Sequence, residues 1–323
     1  MKLEEITVDW PAADRDRVTA AVDLLERQMV GSAALQGEVE TLRKADDSPV
    51  TVVDLRHQAQ VQQFLAGSFS ADGLVCEEPR SLQEQVLSAA SELSLREYGV
   101  ELDGQIAVIP ERGERTWVLD PIDGTKGFVA GRYFAIALGY FVGEEARFGA
   151  IGVPGGGAEG SELAIDRALA LGVSGGGAWI SAGGAEDAIW RRLEPKRSDG
   201  PVRIAVSLAH GGPLADRVRA SGDVEVVALD SQAKYLAVAT GDIDAYLRAA
   251  RDDGQSDVVW DHMPAGIVAR EAGCRVCHFD GGELEFSPET AILFRGGVAC
   301  FREREGGEVG RCLSELIGPL FRA

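Results

Sequence analysis

Trp117-Val118-Leu119-Asp120-Pro121-Ile122-Asp123-Gly124-Thr125 is the stretch on which the reading of this chain turns. The apolar residues 117–119 predict a short strand, and that strand delivers two carboxylates three positions apart. Pro121 stiffens the turn between them. Gly124 and Thr125 then offer backbone N–H groups where a helix can start, a natural cradle for a phosphate. Hard oxygen ligands beside exposed amides suit magnesium bound together with a phosphate ester. Chemistry alone leaves a plainer reading open, a tight turn with a capping Asp.

Outward from this turn, residues 134–142 and 148–153 read as strands, being short, apolar and bounded by Gly, Pro or charge. Upstream, Val18, Ala21, Val22, Leu25 and Met29 recur at helical spacing and predict an amphipathic opening helix over 12–30. A second helix is expected from after Asp54 to about Leu65, and a third over 82–98. Downstream, the polar stretch 191–201 holds two prolines and is the best candidate for a linker. Beyond it, expected strands at 202–206, 224–228, 244–247 and 274–279 alternate with expected helices at 214–220, 232–240 and 262–272, the pattern of an α/β unit. The glycine-dense segments 152–160 and 172–177 read as mobile loops or tight turns.

A chain of 323 residues with 45% hydrophobic content can bury one large core or two ordinary ones, and two domains is the expectation. Its most continuous apolar stretch, 134–142, falls well short of the roughly 20 residues that a membrane span takes. The acidic amino terminus lacks the basic and apolar regions of a secretory signal, and five irregularly spaced cysteines fit buried thiols better than a disulfide framework. A cytoplasmic protein is expected. The net charge of -20 opposes association with a nucleic-acid polymer or an anionic membrane. A small phosphorylated substrate meets the same repulsion, so a site for one must be made locally positive by metal ions or a few placed Lys and Arg.

The string Asp120-Pro121-Ile122-Asp123-Gly124-Thr125 after an apolar strand resembles the signature of the inositol-monophosphatase superfamily. Upstream, Val75-Cys76-Glu77-Glu78 is similar to the Gly-Glu-Glu motif of that family. Downstream, Trp260-Asp261, Ala265-Gly266 and Glu271-Ala272-Gly273 are similar to its Trp-Asp to Glu-Ala-Gly segment. The resemblance implies a two-domain α-β-α-β-α layered sandwich of the inositol-monophosphatase/fructose-1,6-bisphosphatase type. It divides the chain into an α+β domain over 1–195 and an α/β domain over 196–323 that carries the substrate segment and Asp261.

Carried over by position, the resemblance assigns Glu77, Asp120 and the carbonyl of Ile122 to one Mg2+, and Asp120, Asp123 and Asp261 to a second. A third ion position is left open, because Cys76 and Pro79 stand where the family has Gly and Ser. So many carboxylates at one point repel each other unless cations join them. Glu78 is read as a solvated neighbour and stays out of the set. The segment 47–54 resembles the family segment whose last Asp pairs with the motif Thr, so Asp54 and Thr125 would orient and deprotonate an attacking water. The plainer role for Asp54 is the N-cap of the following helix.

Residues 229–235 followed by 244–248 resemble the substrate segment of the 3'(2'),5'-bisphosphate nucleotidase branch, as do Lys126, Gly127 and Phe128. Ser231 would donate to a phosphate or sugar oxygen beside Gly124 and Thr125, and Lys234 and Arg248 would supply positive charge for a second phosphate. The implied reaction is hydrolysis of the 3'-phosphate of adenosine 3',5'-bisphosphate to AMP and phosphate. An inositol or sugar phosphatase shares the metal motifs, and a non-catalytic nucleotide- or partner-binding protein is the reading from another class. In the plainer view Lys234 and Arg248 form ordinary salt bridges. Cys274 and Cys277 lack a second ligand pair for zinc and are read as buried thiols, while His57 and His210 receive no role.

Overall fold

The computed structural model describes residues 1–39, 41–44, 49–82, 107–155, 163, 165–181, 188–194, 200–207, 212–250, 257–289, 291–292 and 296–318. Helices Leu3–Ile6 (α1) and Ala12–Ala33 (α2) open the chain, and the hairpin Thr41–Arg43 (β1) and Pro49–Thr51 (β2) runs directly into Val52–Ser68 (α3). A seven-stranded sheet follows: Gly73–Cys76 (β3), Arg115–Asp123 (β4), Ala135–Val142 (β5), Glu145–Val153 (β6), Ala168–Val173 (β7), Gly177–Ser181 (β8) and Arg191–Arg192 (β9). Its strands lie side by side in chain order, parallel between β3 and β4 and antiparallel elsewhere. The short helix Thr125–Val129 (α4) follows β4 directly.

A second sheet of five strands is built from Val202–Ser207 (β10), Val224–Leu229 (β11), Ala245–Ala249 (β12), Arg275–His278 (β14) and Gly297–Phe301 (β16), in the order β11-β10-β12-β16-β14. The small pair Asp257–Val258 (β13) and Ala291–Ile292 (β15) lies apart from it. Helices Gly212–Ala220 (α5), Ala233–Thr240 (α6), Met263–Glu271 (α7) and Glu308–Ile317 (α8) complete this half. The expected α/β alternation is present, with boundaries moved by a few residues.

Three apolar clusters define five layers. Val18, Ala21, Val22 and Leu25 of α2, with Val53, Val61 and Leu65 of α3, cover one face of the seven-stranded sheet. Helices α6 and α7 fill the space between the sheets, and Val218 of α5 with Val309 and Leu313 of α8 cover the outer face of the five-stranded sheet. This is the α-β-α-β-α sandwich that the motifs imply. The buried Trp117 indole N–H donates to Asp72 at 2.9 Å, and Asp72 also takes two 2.7 Å bonds from Arg17, so these three buried polar side chains satisfy one another.

A row of glycines seats α7. Gly139, Gly149 and Gly172 lie directly opposite one another on β5, β6 and β7. A Cβ at Gly149 would collide with the Pro264 carbonyl, one at Gly139 with the Met263 sulfur, and one at Gly172 would stand 2.6 Å from the Val268 Cα. The helix backbone therefore rests on the bare strands.

Several expectations change. Arg191 and Arg192 pair with β8, so the proposed linker begins inside the sheet. Strands β3, β7 and β8 had no clear alternation to announce them, whereas the tight-turn reading of 172–177 holds for the turn between β7 and β8, flanked by the strand ends. The expected third helix lies outside the described residues except for Leu82. All five cysteines are free thiols and three are buried. Cys277 sits in β14 and Cys274 just before it, each in a different apolar cluster, as the buried-thiol reading requires. Among the described residues no helix is long and apolar enough to cross a membrane.

Candidate active site

Asp120 and Asp123 stand on β4 where its ladder with β5 slips. Asp120 pairs with Ala137 and Asp123 with Ala135, so Pro121 and Ile122 together face one residue of the partner strand. Side chains three apart on a regular strand point to opposite faces, and one extra residue restores both to the same face. Proline, which lacks a ladder donor, suits such a bulge. The buried His57 ring holds the turn, with Nδ1 3.0 Å from the Pro121 carbonyl oxygen and Nε2 3.2 Å from Ser32 Oγ. Burial depresses this imidazole to a pKa of about 4, so it is neutral there.

Asp261 reaches the same place from far along the chain. It ends the 3-10 turn Val259–Asp261 immediately ahead of α7, so the glycine row under that helix also fixes the carboxylate. Gln232 ties the parts together: its side chain donates to the Trp260 carbonyl at 2.9 Å and accepts from Ala265 N at 3.2 Å, while its backbone N–H donates to Asp123. Ligand atoms of Asp120, Asp123 and Asp261 all lie within 4.8 Å of one another, while Glu77 groups in the same way with Asp54 and Glu78 and lines the same cleft.

This crowding has an electrostatic cost. Burial, followed by the charges of Glu77, Asp123 and Asp261, holds the Asp120 carboxyl well above the ordinary carboxylate range. Burial and Asp261 raise Asp123 to about 7, with Lys234 acting against them. One buried oxygen of Asp120, Oδ1, has no hydrogen-bond partner among the described residues. An orphaned carboxylate oxygen among repelling hard donors fits a divalent cation of the Mg2+ type.

Glu77 and Glu78 have a partner that the motifs did not reveal. Lys44 Nζ lies 2.6 Å from each, and burial and Glu77 raise Glu78 to about 8. Glu78 is therefore not a solvated neighbour: it is 1% exposed, and its backbone is clasped by Gln58 on both sides. Lys44 precedes the matched segment, and only the β1–β2 hairpin brings it back.

Asp54 is fully buried at the third position of α3, and Thr51, not Asp54, is the N-cap. Asp54 Oδ2 accepts from Thr51 N at 2.8 Å and Thr51 Oγ1 at 2.5 Å, a reciprocal capping box. Oδ1 faces the Thr125 hydroxyl at 3.3 Å, so capping and pairing with the motif Thr coexist on different oxygens. Burial, then the nearby Glu77 charge, raises Asp54 to about 7.

The substrate candidates line one cleft with the acids: Gly124, Thr125, Ser231, Lys234 and Arg248 beside Glu77, Asp120, Ile122, Asp123 and Asp261. Gly124 has φ +85°, and a Cβ there would stand 2.9 Å from that of Ser231. Ser231 itself takes the left-handed region at φ 62°, while its Oγ caps Ala233 N at 3.2 Å. Lys234 is buried with its ammonium 5.1 Å from the Tyr246 ring centre, and burial lowers it to about 8 despite Asp123 and Asp230. Arg248 is partly the ion-pairing residue of the plainer reading, bound to Asp257 and Asp261. Lys44, Gln232, Glu78 and His57 were missed because their roles depend on tertiary neighbours; His210 is outside the described residues.

Comparisons with known proteins agree with this geometry. A 3'(2'),5'-bisphosphate nucleotidase of Emericella nidulans is 31% identical over 327 aligned positions, covering 86% of this chain and 91% of the relative. A Thermotoga maritima IMPase superposes with a TM-score of 0.65 at 20% identity, over 94% of this chain and 98% of that one. A structure described as an IMPase/NADP phosphatase complexed with Mg2+ and phosphate gives 0.57 at 17% identity, over 97% and 95%. With the profile of the inositol monophosphatase family matching residues 10–305, the chain belongs to that family.

Proposed function

We propose that this protein is a Mg2+-dependent phosphomonoesterase that hydrolyses the 3'-phosphate of adenosine 3',5'-bisphosphate to AMP and phosphate. The observation that carries the reading is the shared cleft: Lys234 and Ser231 border the same space as Asp120, Asp123 and Asp261. A reacting phosphate and a second anionic group thus have neighbouring places in an otherwise acidic protein. The name of the Emericella relative supports the nucleotide as substrate.

Glu77, Asp120 and the Ile122 carbonyl would hold one ion, and Asp120, Asp123 and Asp261 a second, with Asp120 shared. When bound, Mg2+ neutralises charge on the phosphate and acidifies an attacking water. The Thr125 hydroxyl lies 3.3 Å from Asp54 Oδ1 and 3.1 Å from the Ile122 carbonyl oxygen; turned toward Asp54, it leaves its own oxygen free to accept from a water in the cleft. A proton leaving that water would pass through Thr125 Oγ1 to Asp54, a carboxyl that burial holds above its ordinary range and that bound cations would lower. Gly124 and Thr125 present the turn to the departing phosphate, and Lys234, still largely cationic at pH 7, faces the retained one. The five free thiols support a reducing, cytoplasmic setting for this chemistry.

An inositol or sugar phosphatase is the second reading, because the acidic set does not discriminate among alcohols and only the Ser231 and Lys234 side of the cleft does. A phosphate-release screen over nucleotide, inositol and sugar esters, with Mg2+ or a chelator, tests both. Preference for the bisphosphate nucleotide with loss of activity in chelator is expected. Equal turnover of all esters overturns the substrate assignment, and nucleotide binding by calorimetry without phosphate release makes the protein a binding module.

A further inference from the structure

Arg248 is shared unequally between two carboxylates. Its Nη2 donates to Asp257 Oδ1 at 2.7 Å, whereas Nη1 and Nη2 stand 3.4 and 3.3 Å from Asp261 Oδ2. The first contact is a tight charge-assisted bond, and the others are at the outer limit of one. Asp257 is itself held: it is 5% exposed, lies on β13, and has the buried His262 ring 3.4 Å from its second oxygen. The Tyr235 hydroxyl fixes that ring in turn, 2.7 Å from Nδ1. Asp257 does not line the cleft.

We propose that Asp257 is a positioning residue that restrains Arg248 and so keeps Asp261 available to a cation. The inference rests on the metal reading given above. A guanidinium that approached Asp261 with both nitrogens at full strength would neutralise it with the geometry a carboxylate prefers, and an incoming ion would have to displace that fork. Asp257 takes the better bond and leaves Asp261 only a distant share. The cleft thereby keeps a positive group beside the acids without losing one of them as a ligand. His262 and Tyr235 belong to the same support, since they set where Asp257 stands.

The test is a double-variant cycle read by direct Mn2+ binding in the absence of substrate, with electron paramagnetic resonance counting free ion. D257N and D257S are measured in parallel, each checked for folding by its unfolding midpoint in chelator. Both substitutions remove a nearby negative charge as well as the tether, so the same changes are made in an R248M background, where no tether exists. The expected result is about a tenfold weaker Mn2+ affinity when Arg248 is present and about a twofold change or less when it is absent. D257E, which restores a carboxylate, is expected within about threefold of wild type. An equal loss in both backgrounds, or no loss in either, overturns the proposal. A wild-type protein that binds no Mn2+ overturns the metal reading itself and this inference with it.

Discussion

The two oxygens of Asp54 have separate partners, and substitution should separate their effects. Oδ2 closes the cap of α3 through Thr51, and Oδ1 faces Thr125. D54N retains the shape but loses the proposed base, so kcat is expected to fall about 10²- to 10⁴-fold with little change in KM. T125A breaks the relay while leaving the cap, and a comparable fall in kcat with an unchanged unfolding midpoint is expected. Steady-state kinetics with calorimetric melting checks both. A large rise in KM with kcat preserved would assign these residues to binding instead. At this scale Asp120, Asp123, Asp261 and Asp54 were legible because each stands in a short motif. Lys44 was not, since nothing local to it tells a solvent-facing lysine from one folded back between two glutamates.

The glycine row on β5, β6 and β7 is an element-scale device, because it sets the height at which α7 rides and hence where the turn carrying Asp261 lies. G149A pushes a methyl group against the Pro264 backbone, which cannot swing aside as a side chain would. The expected cost is about 1–3 kcal/mol of stability, as for other overpacked cores. A weaker Mg2+ requirement for half-maximal activity would contradict the expectation, which is a higher one. T51A removes the cap hydroxyl of α3, with an expected loss of about 1 kcal/mol. Helices α2, α3, α6 and α7 could be read from apolar spacing, but β7 and β8 could not. Their Ala and Gly content lowers the apolar contrast, and small residues are what the close approach of α7 demands. Gly172, at the start of a segment read as a loop or turn, is a packing position in the sheet.

For the whole molecule, the acid centre is expected to couple folding to pH and, on the metal reading proposed above, to Mg2+. Without metal, Asp54 and Asp123 titrate near 7 and Glu78 near 8 in the folded state, each raised first by burial above its unfolded value. Between pH 6.5 and 7.5 the folded chain therefore holds more protons than the unfolded one, and stability falls as pH rises. His57, depressed to about 4, acts in the opposite direction at the lower end of this window, where the unfolded imidazole near 6.5 is still losing its proton, and is outweighed by the three carboxyls. Lys234, lowered to about 8, acts mainly above this window. The expected decline is on the order of 2–3 kcal/mol per pH unit in chelator, about two excess protons on the folded chain at about 1.4 kcal/mol each. Mg2+ at about 100 times its Kd should offset it by about 2.7 kcal/mol. Thermal melts at the two pH values, with Mg2+ or chelator, would refute this picture if the metal-free protein grew more stable toward pH 7.5. The layered architecture was accessible through the motifs and the order of elements, while the interlocking of both sheets around α6 and α7 depends on contacts distant in sequence.

Asp123 and Asp261 meet in space although 138 positions separate them, by subtraction of their numbers, and the helix that fixes the second is clamped between the two sheets. During synthesis on the ribosome, the early half of the protein would emerge with Asp120 and Asp123 but without Asp261, and without Gln232, whose backbone N–H holds Asp123. On the ligand set proposed above, catalysis would wait for the later half to dock, and turnover would then serve as a gauge of completed folding.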